Sequence, residues 1–242
     1  MPVPKPHPRI YRHGYASVNA PFLESRDARD GQDAIGAFQV LKRDLRTLFE
    51  YVEPCTDNVG TYSHRTFELL LRAATEVETN CKAIANANGH DWRDANITRY
   101  SDLDGPMRLS SYEVQILGTS FPPFTPFDSF TNPDRSQRSP PWYRGYNAAK
   151  HDRINSFPAA NLQNVVHALG GLFTILTAQF GPMLDSVGIT LDPSGISKMA
   201  YDMFVHTRQP SWSASEAYEY DWYQLKSSGP AAWMNHPFPV IT

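Results

Sequence analysis

Apolar residues recur at helical spacing near the start of the chain. Between Gln32 and Glu53 they step by four, three, four, three and four positions, as in a helix that buries one face. Pro54 follows and cannot continue a helix, because it lacks an amide hydrogen. The pattern therefore predicts a first helix over residues 32–53. Its apolar positions are Ala34, Phe38, Leu41, Leu45, Leu48 and Val52.

A second helix is predicted from Ser63, whose hydroxyl can cap it, to about Ala87. Tyr62 before the cap can pack on Phe67, as in a hydrophobic staple. Gly89 supplies a left-handed stop after the last turn. The predicted apolar face consists of Phe67, Leu70, Leu71, Ala74, Val77, Cys81 and Ile84.

Two further helices are predicted in the second half of the chain. One opens at Ser139, because the prolines that follow are tolerated in a first helical turn, and it ends near residues 153–155. The other covers residues 162–180 and has a wide apolar arc, which places it at the centre of the fold. Gly170 and Gly171 are expected to let a partner helix approach it closely.

The segment at 119–139 is rich in proline and phenylalanine. A loop of this length is uncommon unless it is functional or packed, and its phenylalanines favour a packed cover. Before it, the pattern predicts a short helix at 97–103 and a strand at 111–117. The phenylalanines are Phe121, Phe124, Phe127 and Phe130.

Both ends of the chain are predicted to be less regular. Residues 1–30 form an irregular arm, and residues 182–242 form a C-terminal extension packed on the central domain of residues 31–181. Within the extension, a short helix is predicted at 194–204, and the aromatic alternation at 218–223 is typical of a half-buried strand. The predicted fold is mainly α: a four-helix bundle with a Pro-rich insertion, a minor β element and an irregular C-terminal extension.

Composition narrows the classes of function. The chain has 41% hydrophobic and 19% charged residues, which is ordinary for a globular protein. A net charge of −3 argues against a protein that coats nucleic acid through a general positive field. Charge is uneven, however, and five basic residues against one acidic residue between 135 and 153 favour a local anion site. The basic residues are Arg135, Arg138, Arg144, Lys150 and Arg153.

Cysteine content and hydropathy point to the cytoplasm. Two cysteines give no disulfide framework, so a reducing compartment is expected. The most apolar predicted helix is interrupted by polar residues and falls short of a bilayer span, so no membrane association is predicted. The sequence contains no HExxH, paired CxxC, Walker, GxGxxG or GxSxG signature, and its histidines lack metal-ligand spacing. Neither a metal nor a cofactor is predicted.

The residues with the clearest chemical potential cluster in the third predicted helix. Arg144, Asn147 and His151 stand at i, i+3 and i+7, so they project from one narrow face. Arginine offers a planar charged fork for phosphate, asparagine can hold a hydroxyl or a phosphate oxygen, and histidine titrates near neutrality. Neighbouring aromatic rings can stack on a base. These rings belong to Trp142, Tyr143 and Tyr146.

The spacing of Arg144 and His151, late in a helical domain, resembles the R-x4-6-H motif of the HEPN superfamily. This superfamily contains nucleotide-binding and ribonuclease domains common in toxin–antitoxin and anti-phage systems. The second predicted helix, with Glu76, Glu78 and Lys82, together with Tyr146-Asn147-x-x-Lys150-His151, resembles uncharacterised bacterial proteins related to that group. The resemblance covers roughly residues 32–180.

The resemblance implies metal-independent RNA cleavage, in which a ribose 2′-hydroxyl attacks the neighbouring phosphate. By position, Arg144 would polarise that phosphate, His151 would exchange a proton with the attacking or leaving oxygen, and Asn147 would orient one of them. The implied substrate contacts are made by Glu76, Glu78, Tyr143, Tyr146 and Lys150. The implied partners are RNA or a nucleotide, a second copy of the chain and a neutralising protein.

Two alternatives to an active nuclease remain open. The position after the motif arginine is often polar in active members, whereas this chain has Gly145. A catalytically silent helical module that binds a nucleotide, RNA or a protein is the second hypothesis. In the other alternative the face is simply solvated, or carboxylates such as Glu76 or Glu78 satisfy Arg144 and His151.

Overall fold

A computed structural model describes residues 7–12, 25–181, 203–213 and 215–216. These residues form a mainly helical structure with a small two-stranded antiparallel sheet, which confirms the predicted fold class at that level. The helices are α1 (Ser25–Phe49), α2 (His64–Ala87), α3 (Ile97–Tyr100), α4 (Asp104–Met107), α5 (Pro141–His151), α6 (Arg153–Ser156) and α7 (Leu162–Phe180). The strands are β1 (Glu113–Ile116) and β2 (Phe204–Arg208).

Helix α1 is shifted toward the N-terminus relative to the prediction. It begins at Ser25, so the prediction of an irregular arm through residue 30 is wrong for the last six residues of that range. It ends at Phe49 rather than Glu53. Residues just before a proline are pushed out of the helical region, and Pro54 therefore ends the helix early.

Helix α2 begins as predicted, at a reciprocal cap. The Ser63 hydroxyl accepts a hydrogen bond from the Thr66 amide at 3.2 Å, and the Thr66 hydroxyl accepts one from the Ser63 amide at 2.7 Å. The predicted contact between Tyr62 and Phe67 is bridged by a third ring. Phe157 lies 5.5 Å from Tyr62 and 6.1 Å from Phe67, measured between ring centroids.

Helix α7 is the centre of the bundle, as its wide apolar arc predicts. Every residue from Ala168 to Phe180 is buried, and α1, α2 and α5 all pack against this helix. Among the described helices, none combines the length and the apolar character that a bilayer crossing requires.

A buried polar network ties residues 7–12 to the bundle. The Arg9 side chain donates to Gln179 at 2.9 Å, and Gln179 donates to Asn80 at 2.9 Å. Arg9 also forms an ion pair with Asp30 at 3.1 Å. The Tyr11 amide donates to the carbonyl of residue 178 at 2.9 Å. This part of the N-terminal arm is therefore anchored on α2 and α7.

The Pro/Phe-rich segment is a packed cover, as predicted. Phe121, Phe127 and Phe130 are buried, and Phe124 packs against the core from a half-buried position. The expectation that a partner helix fills the space at the paired glycines of α7 is wrong for Gly170, which faces the Phe124 ring. At Gly171 both the Phe127 ring and Trp142 of α5 come close. A Cβ on Gly170 would lie 2.6 Å from the Phe124 ring.

Strand β2 corrects the prediction for the C-terminal extension. Phe204 begins this strand and pairs with Ile116 of β1, whereas the sequence pattern placed it at the end of a helix. The remainder of that predicted helix, at 194–202, and the aromatic run at 218–223 lie outside the described residues. Phe204 is fully buried against Phe38 and Phe173, with ring centroids 5.9 and 5.8 Å away.

Gly170→Ala is expected to lower the free energy of unfolding by about 1–3 kcal/mol, because the added methyl overpacks the core. The Phe124 ring cannot swing away freely, since it stacks on His167 at 4.2 Å. Gly36→Ala is the matched control, because a Cβ there meets nothing within 4 Å. It should stabilise α1 by about 1 kcal/mol. Urea unfolding measures both, and a Gly170→Ala protein as stable as wild type would contradict the packing.

Burial lowers the pKa of His167 to about 4, although Asp128 acts in the opposite direction. The same histidine titrates near 6.5 in the unfolded chain. Between these values the unfolded state binds a proton that the folded state does not. The free energy of unfolding should therefore fall as the pH drops from about 6.5 to 4, by up to roughly 3 kcal/mol from this group.

The measurement is the difference in unfolding free energy between wild type and His167→Phe at pH 7 and at pH 4.5. Other titrating groups cancel in that difference, so the variant should lose less stability on acidification. His151→Gln, at an exposed position, is the control. Equal acid sensitivity of His167→Phe and wild type would show that this histidine does not govern the pH dependence.

Candidate functional site

Helix α5 opens with Pro141 in its first turn, as predicted, and ends at His151, slightly earlier than predicted. Asp152 leaves the helical conformation and starts α6 instead. Its carboxylate accepts hydrogen bonds from the Asn155 amide at 3.2 Å and from the Asn155 side chain at 2.8 Å. The candidate residues therefore lie within one continuous helix that stops directly after the histidine.

The buried residues of α5 determine which face is free. Trp142, Tyr146 and Ala149 point into the core. Arg144 and His151 are exposed, and Asn147 between them is half-buried. Arg144, Asn147 and His151 thus share the face turned away from the bundle, which is the arrangement that their spacing predicts.

This outer face is open. The Arg144 guanidinium donates a hydrogen bond to the carbonyl of Ser139 at the start of the helix. Within the described residues, the His151 ring makes no hydrogen bond, and neither Arg144 nor His151 forms an ion pair. One carbonyl uses only one of the five donors of a guanidinium. Both groups therefore remain available to an external anion.

The two predicted carboxylates lie on different sides of α2. Glu78 faces α5 and accepts a hydrogen bond from the Tyr143 hydroxyl at 2.7 Å. Glu76 faces α1, where burial raises its pKa. The two carboxylates therefore cannot both contact a substrate on the outer face of α5, as the resemblance implies, because residues two apart on a helix point in nearly opposite directions.

A cavity of about 350 Å³ lies between α1 and α2, on the side of Glu76. Its walls are mostly apolar, and Arg72 near it pairs with Asp44 of α1 at 2.5 Å. None of the predicted α5 residues lines this cavity. The lining residues are Ala37, Val40, Leu41, Leu71, Arg72, Thr75 and Glu76.

The predicted base-stacking tyrosines are core residues. Tyr143 and Tyr146 are nearly fully buried, and their ring centroids lie 5.2 Å apart in an edge-to-face arrangement. Burial is the main cause that raises the pKa of Tyr143, and its hydrogen bond to Glu78 adds to it. Neither ring can stack on a base while α5 stays packed. Trp142, considered with them, is also buried and donates from its indole to a backbone carbonyl at 2.9 Å.

Lys150 lies at the edge of this tyrosine cluster. Its ammonium donates to the Tyr146 hydroxyl at 3.0 Å and lies 5.0 Å from the centroid of the same ring. The hydrogen bond from Lys150 to Tyr146 is the main cause that raises the pKa of the ammonium. Lys150 remains exposed, so its charge stays beside the outer face.

Gly145 is explained by packing. A Cβ at this position would lie 2.3 Å from the side-chain nitrogen of Asn164 and 3.0 Å from the Ala159 carbonyl oxygen. The same Asn164 nitrogen donates to that carbonyl at 2.8 Å. The departure from the family pattern after Arg144 thus occurs at an inward position that contacts the start of α7.

Sequence reasoning missed a group of residues beside the end of α5. Arg153 of α6 places its guanidinium 6.0 Å from the centroid of Phe67, and the ring of His64 lies 5.0 Å from that of Phe157. The two residues of each pair are about ninety positions apart in the chain, and only tertiary packing brings them together. No local spacing signals such a group.

Within the part of the chain that the structure describes, no group of three or more histidine, cysteine, aspartate or glutamate side chains is arranged to hold a metal ion. The chain matches no family model, no curated protein and no solved structure. The likeness of Arg144 and His151 to the family motif therefore stays a prediction.

Gly145→Ala is expected to lower the free energy of unfolding by about 1–3 kcal/mol, because the methyl must displace the Asn164 side chain. Gly36→Ala is the control, since that helical glycine has nothing within 4 Å of an added Cβ. Thermal unfolding of Gly145→Ala, Asn164→Ala and the double variant tests the contact. The double variant should lose less stability than the sum of the single changes, whereas strict additivity would contradict the proposed clash.

Proposed function

We propose that the chain binds RNA on the outer face of α5 and cleaves it without a metal ion. The observation that supports this function is that Arg144, Asn147 and His151 are accessible together on one helix, with Arg144 and His151 outside ion pairs among the described residues. A guanidinium and an imidazole on one face supply a charge for a phosphate and a group that moves protons near neutral pH.

The proposed reaction breaks one phosphodiester bond. The ribose 2′-oxygen attacks the adjacent phosphorus, and the bond from phosphorus to the 5′-oxygen of the next nucleotide breaks. The 2′-hydroxyl gives up its proton and the 5′-oxygen gains one, so the products are a 2′,3′-cyclic phosphate and a 5′-hydroxyl. Arg144 stabilises the charge on the phosphate, and His151 takes or returns one of the two protons. Asn147 orients the reacting oxygen.

The shape of the site favours a symmetric pair of chains. An exposed helix surface touches a phosphate from one side only and does not exclude water. Two copies related by a twofold axis would face their α5 helices toward each other and enclose the phosphate between them. One chain would then supply the charge and the other a proton-transfer group, which also fits the dimer that the family resemblance implies.

A second candidate function is RNA or nucleotide binding without turnover, or binding of a protein partner. It is favoured by the His151 ring, which receives no hydrogen bond from the described residues. Catalytic bases are commonly oriented by a further side chain. In either case we propose that the protein is cytoplasmic. A neutralising protein partner, as in a toxin–antitoxin or anti-phage system, would act by covering the α5 face.

Purified protein incubated with end-labelled single-stranded RNA in excess EDTA tests the two functions. A ribonuclease should cleave the RNA and leave cyclic phosphate ends. His151→Ala and Arg144→Ala should each slow cleavage by about 10² or more, because each removes a proton-transfer group or a charge at the reacting phosphate. Arg93→Ala is the matched control, since Arg93 is an exposed arginine that pairs with Asp91 at 2.6 Å after the far end of α2.

Cleavage that EDTA abolishes, or that His151→Ala leaves unchanged, would refute the proposed mechanism. RNA binding that Arg144→Ala weakens, with no cleavage by wild type, would instead support the second candidate. Sedimentation of wild-type protein with and without RNA reports whether the active species is a pair of chains.

A further inference from the structure

Several aromatic rings meet around Phe157, in the turn that follows α6. Tyr62 contacts Phe157 edge-on, and His64 lies against it in a tilted arrangement with ring centroids 5.0 Å apart. The outer members are accessible: Tyr62 is 47% exposed and Ile154 of α6 is 91% exposed. We call this group, with Phe67 and Arg153, the aromatic patch. An exposed cluster of apolar and aromatic side chains commonly marks an interaction site.

The charges of the aromatic patch itself are balanced, and the positive charges outside ion pairs lie beside it on α5. Arg153 lies against the Phe67 ring, and Arg65 is exposed beside it with only a weak surface ion pair to Glu68 at 3.3 Å. The nearby carboxylate of Asp152 is engaged by Asn155 at the start of α6. Those hydrogen bonds lower the pKa of Asp152, so its carboxylate stays charged and offsets Arg153. The attraction for an anion therefore comes from Arg144 and Lys150 of α5, which are exposed and form no ion pair among the described residues.

The aromatic patch continues the outer face of α5. Arg153 follows His151 by two residues, so their Cα atoms are at most about 7.6 Å apart. The chain turns at Asp152, and α6 leads directly to Phe157. A linear anion that crosses His151 therefore reaches the patch without leaving the protein surface.

We infer that the aromatic patch binds the bases of single-stranded RNA next to the phosphate held on α5. This inference rests on the proposed function and adds the substrate class to it. Tyr62 stacks on a base, Arg153 contacts the phosphate next to it, and Arg144 and His151 hold the phosphate that is cut. Stacking of this kind accepts any base, so the site selects for an unpaired strand rather than for a sequence.

Single-stranded RNA fits these contacts better than a duplex does. The bases of a duplex are stacked on one another, and its deep, narrow major groove is closed to side chains. An unpaired strand can place one base on Tyr62 while its phosphates follow the cations of α6 and α5. A protein partner would leave the exposed arginines in need of acidic side chains, whereas RNA supplies the anions with the bases.

The test uses a short single-stranded RNA that carries 2-aminopurine and a 2′-O-methyl group at every ribose, which blocks cleavage. Fluorescence anisotropy gives the Kd, and quenching of 2-aminopurine reports stacking. Tyr62→Ala should weaken binding about tenfold and remove quenching, while Tyr62→Phe should keep both. Arg153→Ala should weaken binding and reduce the slope of log K against log salt by about 0.7.

Controls separate this inference from the function on which it rests. Arg93→Ala should bind like wild type, and a duplex of the same length should bind more weakly and be indifferent to Tyr62→Ala. Tyr62 and Arg153 are surface residues, and circular dichroism and the Tm confirm that each variant is folded. If Arg144→Ala weakens binding but Tyr62→Ala and Arg153→Ala do not, the inference fails and the proposed function stands. If wild type binds no RNA, both fail.

Discussion

The burial of α7 is the constraint on which the rest of the fold depends. The last three turns of α7 are buried on all sides, and α1, α2 and α5 cover them together with the Phe124 and Phe127 rings. The cover also sets the orientation of α5. Because Trp142, Gly145 and Tyr146 face inward, Arg144, Asn147 and His151 lie on the opposite side of the helix. The candidate site is thus the outer side of a helix whose inner side closes the core.

The helical part of the fold could be predicted because its signals are local. Ser63 caps α2 through the backbone of its own first turn, and the apolar residues of α7 follow the helical period. Strand β2 could not be predicted from such signals. Its first residue, Phe204, becomes a strand residue by pairing with Ile116, far away in the chain, and by packing on Phe38. Long-range pairing of this kind leaves little trace in a short window of sequence.

The candidate site, too, could be predicted from the sequence only in part. The shared face of Arg144, Asn147 and His151 follows from spacing within one helix, and the burial of its neighbours agrees with it. The surroundings of that face depend on which helix lies against which. Glu76 turns to α1 and Glu78 to α5. Their spacing shows that they point in nearly opposite directions, but the sequence does not tell which of them faces α5.

Several residues that were predicted to touch a substrate make inward contacts, and such contacts fix α5 in the bundle. Tyr143 is tied to Glu78 of α2, and Lys150 is tied to Tyr146. Gly145 lets the start of α7 approach so closely that a methyl group would not fit. A charge and a proton-transfer group act together only if their separation is fixed within a fraction of an ångström. The contacts of Tyr143 and Gly145 fix α5 against α2 and α7, and under the proposed function these two residues position the outer face rather than bind the substrate.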